Sequence, residues 1–208
     1  MHTERGFDRL VNFSDAVVAI AITLLILPLV DSASELGQMT FDELLAKDGM
    51  KLLVFVISFA VIGRFWLAHH RLYENIVDYS RSLLWVNLLW LLSIVFLPFP
   101  TELLAASGSN NGATTTLYVG TMLLTSATGT WQQWILKRNP ALQAESVRGS
   151  VTVLTAASAS ALMLVVFLVT IVAPGLGLWS LLLLGFTGVV QRLTSRWVKR
   201  RNNGVDPE

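Results

Sequence analysis

The side chains best equipped for chemistry stand where apolar sequence should exclude them. Arg9-Leu-Val-Asn-Phe13-Ser14-Asp15 leads into Ala-Val-Val-Ala-Ile20-Ala-Ile-Thr23-Leu24-Leu-Ile-Leu27-Pro28, and a second apolar run ends in Trp66-Leu-Ala-His69-His70-Arg71. A carboxylate at the head of an apolar helix needs a partner or water, which makes Asp15 a functional candidate. Helix capping by Ser14 or Asp15 is the plainer assignment, since the first turn of a helix favours a carboxylate. Capping leaves Arg9 and the polar end of the second run without a role. An Asp15–His69–Arg71–Trp66 network locking the first helix against the second is therefore expected. With no cysteine in the chain, thiol chemistry and disulfides are excluded. His2, His69 and His70 lack a spaced carboxylate partner for zinc. Away from Asp15 and His69, no nucleophile, base and orienting group could meet, so neither an enzyme nor a resident cofactor is expected.

The elements that must position these groups follow from composition. Of the 208 residues, 53% are apolar and 14% charged, with a mean hydropathy of +0.60. A soluble domain carries about 25% charged residues. The chain is therefore read as an all-α integral membrane protein. A spanning helix needs roughly 20 mostly apolar residues. Such stretches run over about 13–30, 52–68, 83–104, 114–134, 151–172 and 176–191, giving a single six-helix domain over 1–200 and a tail over 201–208. Pro28 and Asp31 close the first, Pro98 and Pro100 bend or end the third, and Ala173-Pro174-Gly175 turns between the last two. Continuous apolar runs, as opposed to alternating ones, exclude a β-barrel. No cleavage pattern follows the N-terminal residues, so the first apolar segment is expected to stay.

Lys47 and Lys51 are the only basic residues beside the loop between the first and second spans, while every other Lys and Arg falls on the opposite side. By the positive-inside rule both termini are cytoplasmic, in the plasma (inner) membrane. Asp31, Glu35, Asp42, Glu43 and Asp48 populate an expected outer loop over 31–50. They read as solvated charge, with concentration of cations as the alternative. Trp66, Trp85, Trp131, Trp134 and Trp197 read as interfacial anchors, Gln132, Gln133 and Gln191 as membrane-edge residues, and Arg196–Arg201 as a topology anchor. No basic aromatic patch suggests nucleic acid. No internal repeat is evident, which favours several copies around an axis over the two related halves of many transporters.

Arg9-x-x-x-Phe13-Ser14-Asp15 resembles the signature of the FSD-motif potassium channels, the endosomal and lysosomal potassium channels and their prokaryotic relatives. Trp66-x-x-His69-x-Arg71-Leu72 is similar to that family's second-helix motif, and Asn87 followed by Phe96-Leu97-Pro98 to its third helix. The resemblance covers residues 9 to 100; the remainder matches in hydropathy and helix count. A six-helix chain resembles the prokaryotic members, which assemble as homotetramers.

The resemblance implies a potassium channel of modest selectivity whose central pore is lined by helix one. It places the constriction at Ile20, with Thr23, Leu24 and Leu27 following, and the potassium path at Ile20 and Thr23. Positions i, i+3, i+4 and i+7 share one helix face, and apolar rings gate by dewetting. Packing or lipid contact is the alternative use of such a stripe. Arg9, Phe13, Ser14, Asp15, Trp66, His69 and Asn87 would hold the helix in register. The Thr-Val-Gly-Tyr-Gly filter of ordinary potassium channels is missing, and no repeated arginines form a voltage sensor. A proton-coupled secondary transporter using Asp15 and His69 is the rival function. It would need those residues to face water at midplane depth, whereas they are expected near the cytoplasmic edge.

Overall fold

The computed structural model describes residues 4–33, 40–107, 112–148 and 151–173. Seven α-helices are described: α1 (Glu4–Leu24), α2 (Leu27–Ala33), α3 (Phe41–Tyr73), α4 (Arg81–Phe96), α5 (Pro98–Ser107), α6 (Gly112–Arg138) and α7 (Leu154–Val172). The expected span over 176–191 and the Arg196–Arg201 cluster, with Trp197 and the 201–208 tail, lie outside the described residues. Among the described residues, four segments are long and apolar enough to cross a membrane: Gly6–Ser32, Leu45–Tyr73, Arg81–Ala106 and Leu154–Val172.

Two prolines divide what hydropathy joins. Pro28 lacks an amide hydrogen and its ring opposes the carbonyl of residue i−4, which is Leu24. The helix accordingly stops at Leu24, turns through Leu25 and Ile26, and restarts at Leu27. Pro98 acts the same way in the third span, ending α4 at Phe96 and occupying the first position of α5, where a missing N–H costs nothing.

Of the expected outer loop over 31–50, residues 31–33 and 41–50 are helical instead. α3 starts at Phe41 behind a capping box in which Thr40 and Glu43 bond reciprocally. Those bonds hold the Glu43 carboxyl below its ordinary range. Asp42, Glu43 and Asp48 thus belong to a helix, whose positive end favours the first two.

α6 packs along α7 and α4, with hydroxyls bridging the seams. Thr125 Oγ1 donates to Ser93 Oγ (2.9 Å), and the Ser160 hydroxyl lies 2.8 Å from Ser126 Oγ and 2.7 Å from Thr130 Oγ1. Small residues let these backbones approach; the Gly120 Cα faces the Phe167 ring so closely that an added Cβ would sit 3.0 Å from it. The main apolar cluster joins Val18, Ala21 and Leu25 of the first span to Ile62, Trp90, Ile94, Met122 and Val166. A smaller cluster around Tyr73, Leu83 and Ile135 is closed by the segment after α6, where Ala144 N–H donates to Asn75 O at 3.0 Å and Val77 N–H to Leu142 O at 3.0 Å.

Candidate functional site: the anchored first helix

α1 has two unlike faces. Ser14, Val18, Ala21 and Leu25 are buried at 1%, 3%, 0% and 3% exposure, whereas Phe13, Ile20, Leu24 and Leu27 are 52%, 60%, 40% and 52% exposed in the isolated subunit. The buried set recurs every three or four residues, so the exposed set occupies the opposite side.

A directed chain of hydrogen bonds ties the buried face down. Ser14 Oγ donates to Leu10 O at 2.9 Å, leaving its oxygen to accept from Asn87 Nδ2 at 2.9 Å. Asn87 Oδ1 then faces His69 Nε2 at 2.8 Å, so Nε2 carries the proton, an assignment that follows from the network. Three helices, α1, α4 and α3, meet at these side chains, and Asn87 is 0% exposed. The His69 ring is clamped between Tyr73 and Trp90, each stacked at 4.1 Å between centroids and within 18° of parallel. Beside this chain, Trp66 Nε1 donates to Asp15 Oδ1 at 2.8 Å, and Trp66 stacks on His70 at 5.2 Å.

The arrangement corrects the expected lock in three respects. Asp15 and Ser14 lie well inside α1, which begins at Glu4, so neither caps it and the first-turn dipole argument does not apply. Asp15 bonds Trp66, while His69 reaches α1 through Asn87. Arg71 is exposed and stands outside that pair. Arg9 and Phe13 also sit on the exposed side of α1, outside the intrasubunit bonds. Trp66 is a hydrogen-bond donor within the bundle, whereas Trp85, Trp131 and Trp134 are exposed as membrane-edge residues would be.

The four residues expected to form the constriction do not lie on one continuous helix. Ile20, Thr23 and Leu24 end α1, and Leu27 opens α2 beyond the break. Thr23 Oγ1 donates to Ile20 O at 2.8 Å, which leaves its oxygen lone pairs facing outward. Beyond the break, Ser32 Oγ accepts from Lys51 Nζ at 3.0 Å, and Lys51 pairs with Asp48 at 2.7 Å. The C-terminal end of the first span is thereby tied to α3, a link that no sequence pattern marks, because Asp48 reads as loop charge and Lys51 as a residue flanking that loop.

Comparison with known proteins matches the segment that carries these anchors. Residues 9–98 fit the family described as endosomal/lysosomal potassium channel TMEM175. A potassium channel of Streptomyces collinus is 37% identical over 97 residues, 47% of this chain and 47% of the relative. A potassium channel of Chamaesiphon minutus is 37% identical over 98 residues, 47% and 48% of the two chains. The human endosomal/lysosomal proton channel TMEM175 is 29% identical over 100 residues, 47% of this chain and 19% of that one. The chain is thus matched over about half the length of its bacterial relatives, and the likeness to the FSD-motif channels holds across that half. A crystal structure of a lysosomal potassium-selective channel TMEM175 homolog from Chamaesiphon minutus aligns with a TM-score of 0.66 over 88% of this chain and 97% of that one. At 23% identity this likeness establishes the shared fold.

Proposed function

We propose that the chain is a cation channel that favours potassium modestly, assembled as a homotetramer of six-helix subunits with both termini cytoplasmic and the first helix lining a central pore. The observation that carries this reading is the division of the first span. One face is bonded to α3 and α4, while the opposite face offers Ile20, Thr23, Leu24 and Leu27 at the subunit surface. Four such faces around an axis make a narrow apolar neck that sheds water unless it widens. Thr23 supplies a ring of hydroxyl oxygens in that neck, each with its proton already committed to Ile20 O. Oxygens so oriented can replace part of a cation's hydration shell. Relatives named potassium channels and proton channels over the same segment support a cation as the permeant species.

The bond chain at Asn87 supports a clasp over a proton relay. It runs from His69 through Asn87 and Ser14 into the carbonyl of Leu10, and a main-chain carbonyl has no proton to pass on. Purified protein in a planar bilayer under opposed potassium and sodium gradients tests the proposal. A reversal potential displaced toward the potassium equilibrium value is expected. Saturable, pH-driven counterflow without single-channel steps would replace the channel by a transporter.

A further inference from the structure

Behind His69, on the side away from α1, a cavity of about 760 Å³ opens between α3, α4, α6 and α7. Its volume is that of a ligand-sized site. Gln132 lines it, is 0% exposed, and finds no hydrogen-bond partner for either its amide nitrogen or its amide oxygen. A buried amide with both ends open calls for something that both accepts and donates. Two guanidinium groups, Arg64 and Arg71, also line the cavity, and no Asp or Glu does among the described residues. They stand seven residues apart on α3, hence two turns along one side of that helix. Phe65, Met122 and Met163 make an apolar wall on the same space. Positive charge, a donor–acceptor amide and an apolar wall together describe an amphiphile with an anionic, hydroxyl-bearing head.

We propose that this cavity binds an anionic phospholipid, its phosphate near Arg64 and Arg71 and a headgroup hydroxyl on Gln132. A water-filled void would satisfy the amide but gives no use for two guanidinium groups set beside an apolar wall. The occupant would touch His69 and Trp90, which also line the space, and so would press on the residue that holds α1 through Asn87. Binding itself does not depend on conduction, so failure of the channel reading leaves this inference standing, and the reverse is equally true.

The test uses the full chain in phosphatidylcholine nanodiscs with phosphatidylglycerol titrated in, read by thermal unfolding and by native mass spectrometry of retained lipid. Phosphatidylglycerol is expected to raise the apparent Tm by roughly 2–4 °C near saturation and to be retained in preference to phosphatidylcholine. Gln132→Leu removes the unpartnered amide and should fold at least as well without the anionic lipid. Its half-saturating phosphatidylglycerol is expected to rise about tenfold, as is that of Arg71→Gln, which alters an exposed residue. Equal phosphatidylglycerol response in wild type and both variants would overturn the site. So would an absence of preference over phosphatidylcholine, or an equal shift from soluble glycerol phosphate.

Discussion

Asn87 uses its amide twice, donating to Ser14 and accepting from His69, at a position with no access to solvent. Losing it strands a buried hydroxyl and a buried imidazole N–H. Asn87→Ala should therefore destabilise the subunit by about 1–3 kcal/mol, seen as a lower apparent Tm in detergent. Combined with Ser14→Ala, the loss should be less than additive, because both changes remove the same bond; strict additivity would show that the two side chains do not cooperate. Thr23 and Ile20 belong to the proposed pore. Thr23→Ala removes the only hydroxyl of the exposed stripe and should alter potassium preference over sodium, whereas an unchanged reversal potential would take Thr23 out of the filter. Ile20→Asn should wet the neck, raising conductance and lowering selectivity; an unaltered current would mean that this helix does not line the path. Ser14, Asp15 and His69 were legible in the sequence as polar groups misplaced in apolar surroundings, whereas Asn87 entered only through the family resemblance. Their pairing was less so, because Asp15, His69 and Trp66 admit several matchings and only the meeting of α1, α3 and α4 at Asn87 decides among them. Gln132 gave no signal beyond its proximity to a span end, and burial alone sets it apart.

Among the elements, the break at Leu25–Ile26 gives the first span two independently anchored parts. The N-terminal part is held by Asn87 and Trp66, the C-terminal part by Lys51, which bonds Ser32 and pairs with Asp48. Asp48 Oδ2 has no hydrogen-bond partner of its own, and Lys51 is the main support of this carboxylate, with Ser32 and Lys47 as lesser ones. Lys51→Met deprives the Asp48 carboxylate of its nearest cation and should lower the apparent Tm. Lys51→Met with Asp48→Leu should recover most of that, as replacing both partners of a buried pair by apolar groups is often neutral. Thermal unfolding of the three proteins checks this, and a double variant no better than the single one would rule the pairing out. Pro28 was visible as a helix terminator, yet the interruption falls one turn earlier, because proline acts on the carbonyl four residues back. The acidic residues of the expected outer loop misled for a different reason. Asp42 and Glu43 are first-turn residues of α3, and a charge run looks the same whether it solvates a loop or begins a helix.

At the scale of the molecule, the isolated subunit leaves a broad apolar surface that includes Phe13, Ile20, Leu24, Leu27 and Val30 on one span. Lipid can cover such a surface, but a symmetric assembly covers it and also encloses the hydroxyl of Thr23. Four subunits of 22.9 kDa each are expected from native mass spectrometry of the detergent-solubilised protein, and a monomer in mild detergent and in nanodiscs alike would remove the central axis. The helical, membrane-spanning character was plain from composition, because so few charges cannot clothe a chain of this size in water. What composition hid was the return of the segment after α6, which docks on Ile76 and Val77 through main-chain bonds that carry no side-chain signature.

α6 ranks low in hydropathy because it is rich in threonine, and yet it is packed among apolar neighbours. Thr121, Thr128 and Thr130 each direct a hydroxyl to the carbonyl four residues back, so their polarity is quenched at home. A stretch built this way is greasier than its letters suggest. Valine could replace Thr121 or Thr128, whose hydroxyls serve only their own helix, with little disturbance, and descendants of this chain could therefore drift toward a conspicuously hydrophobic version of the same helix without altering how it fits its neighbours.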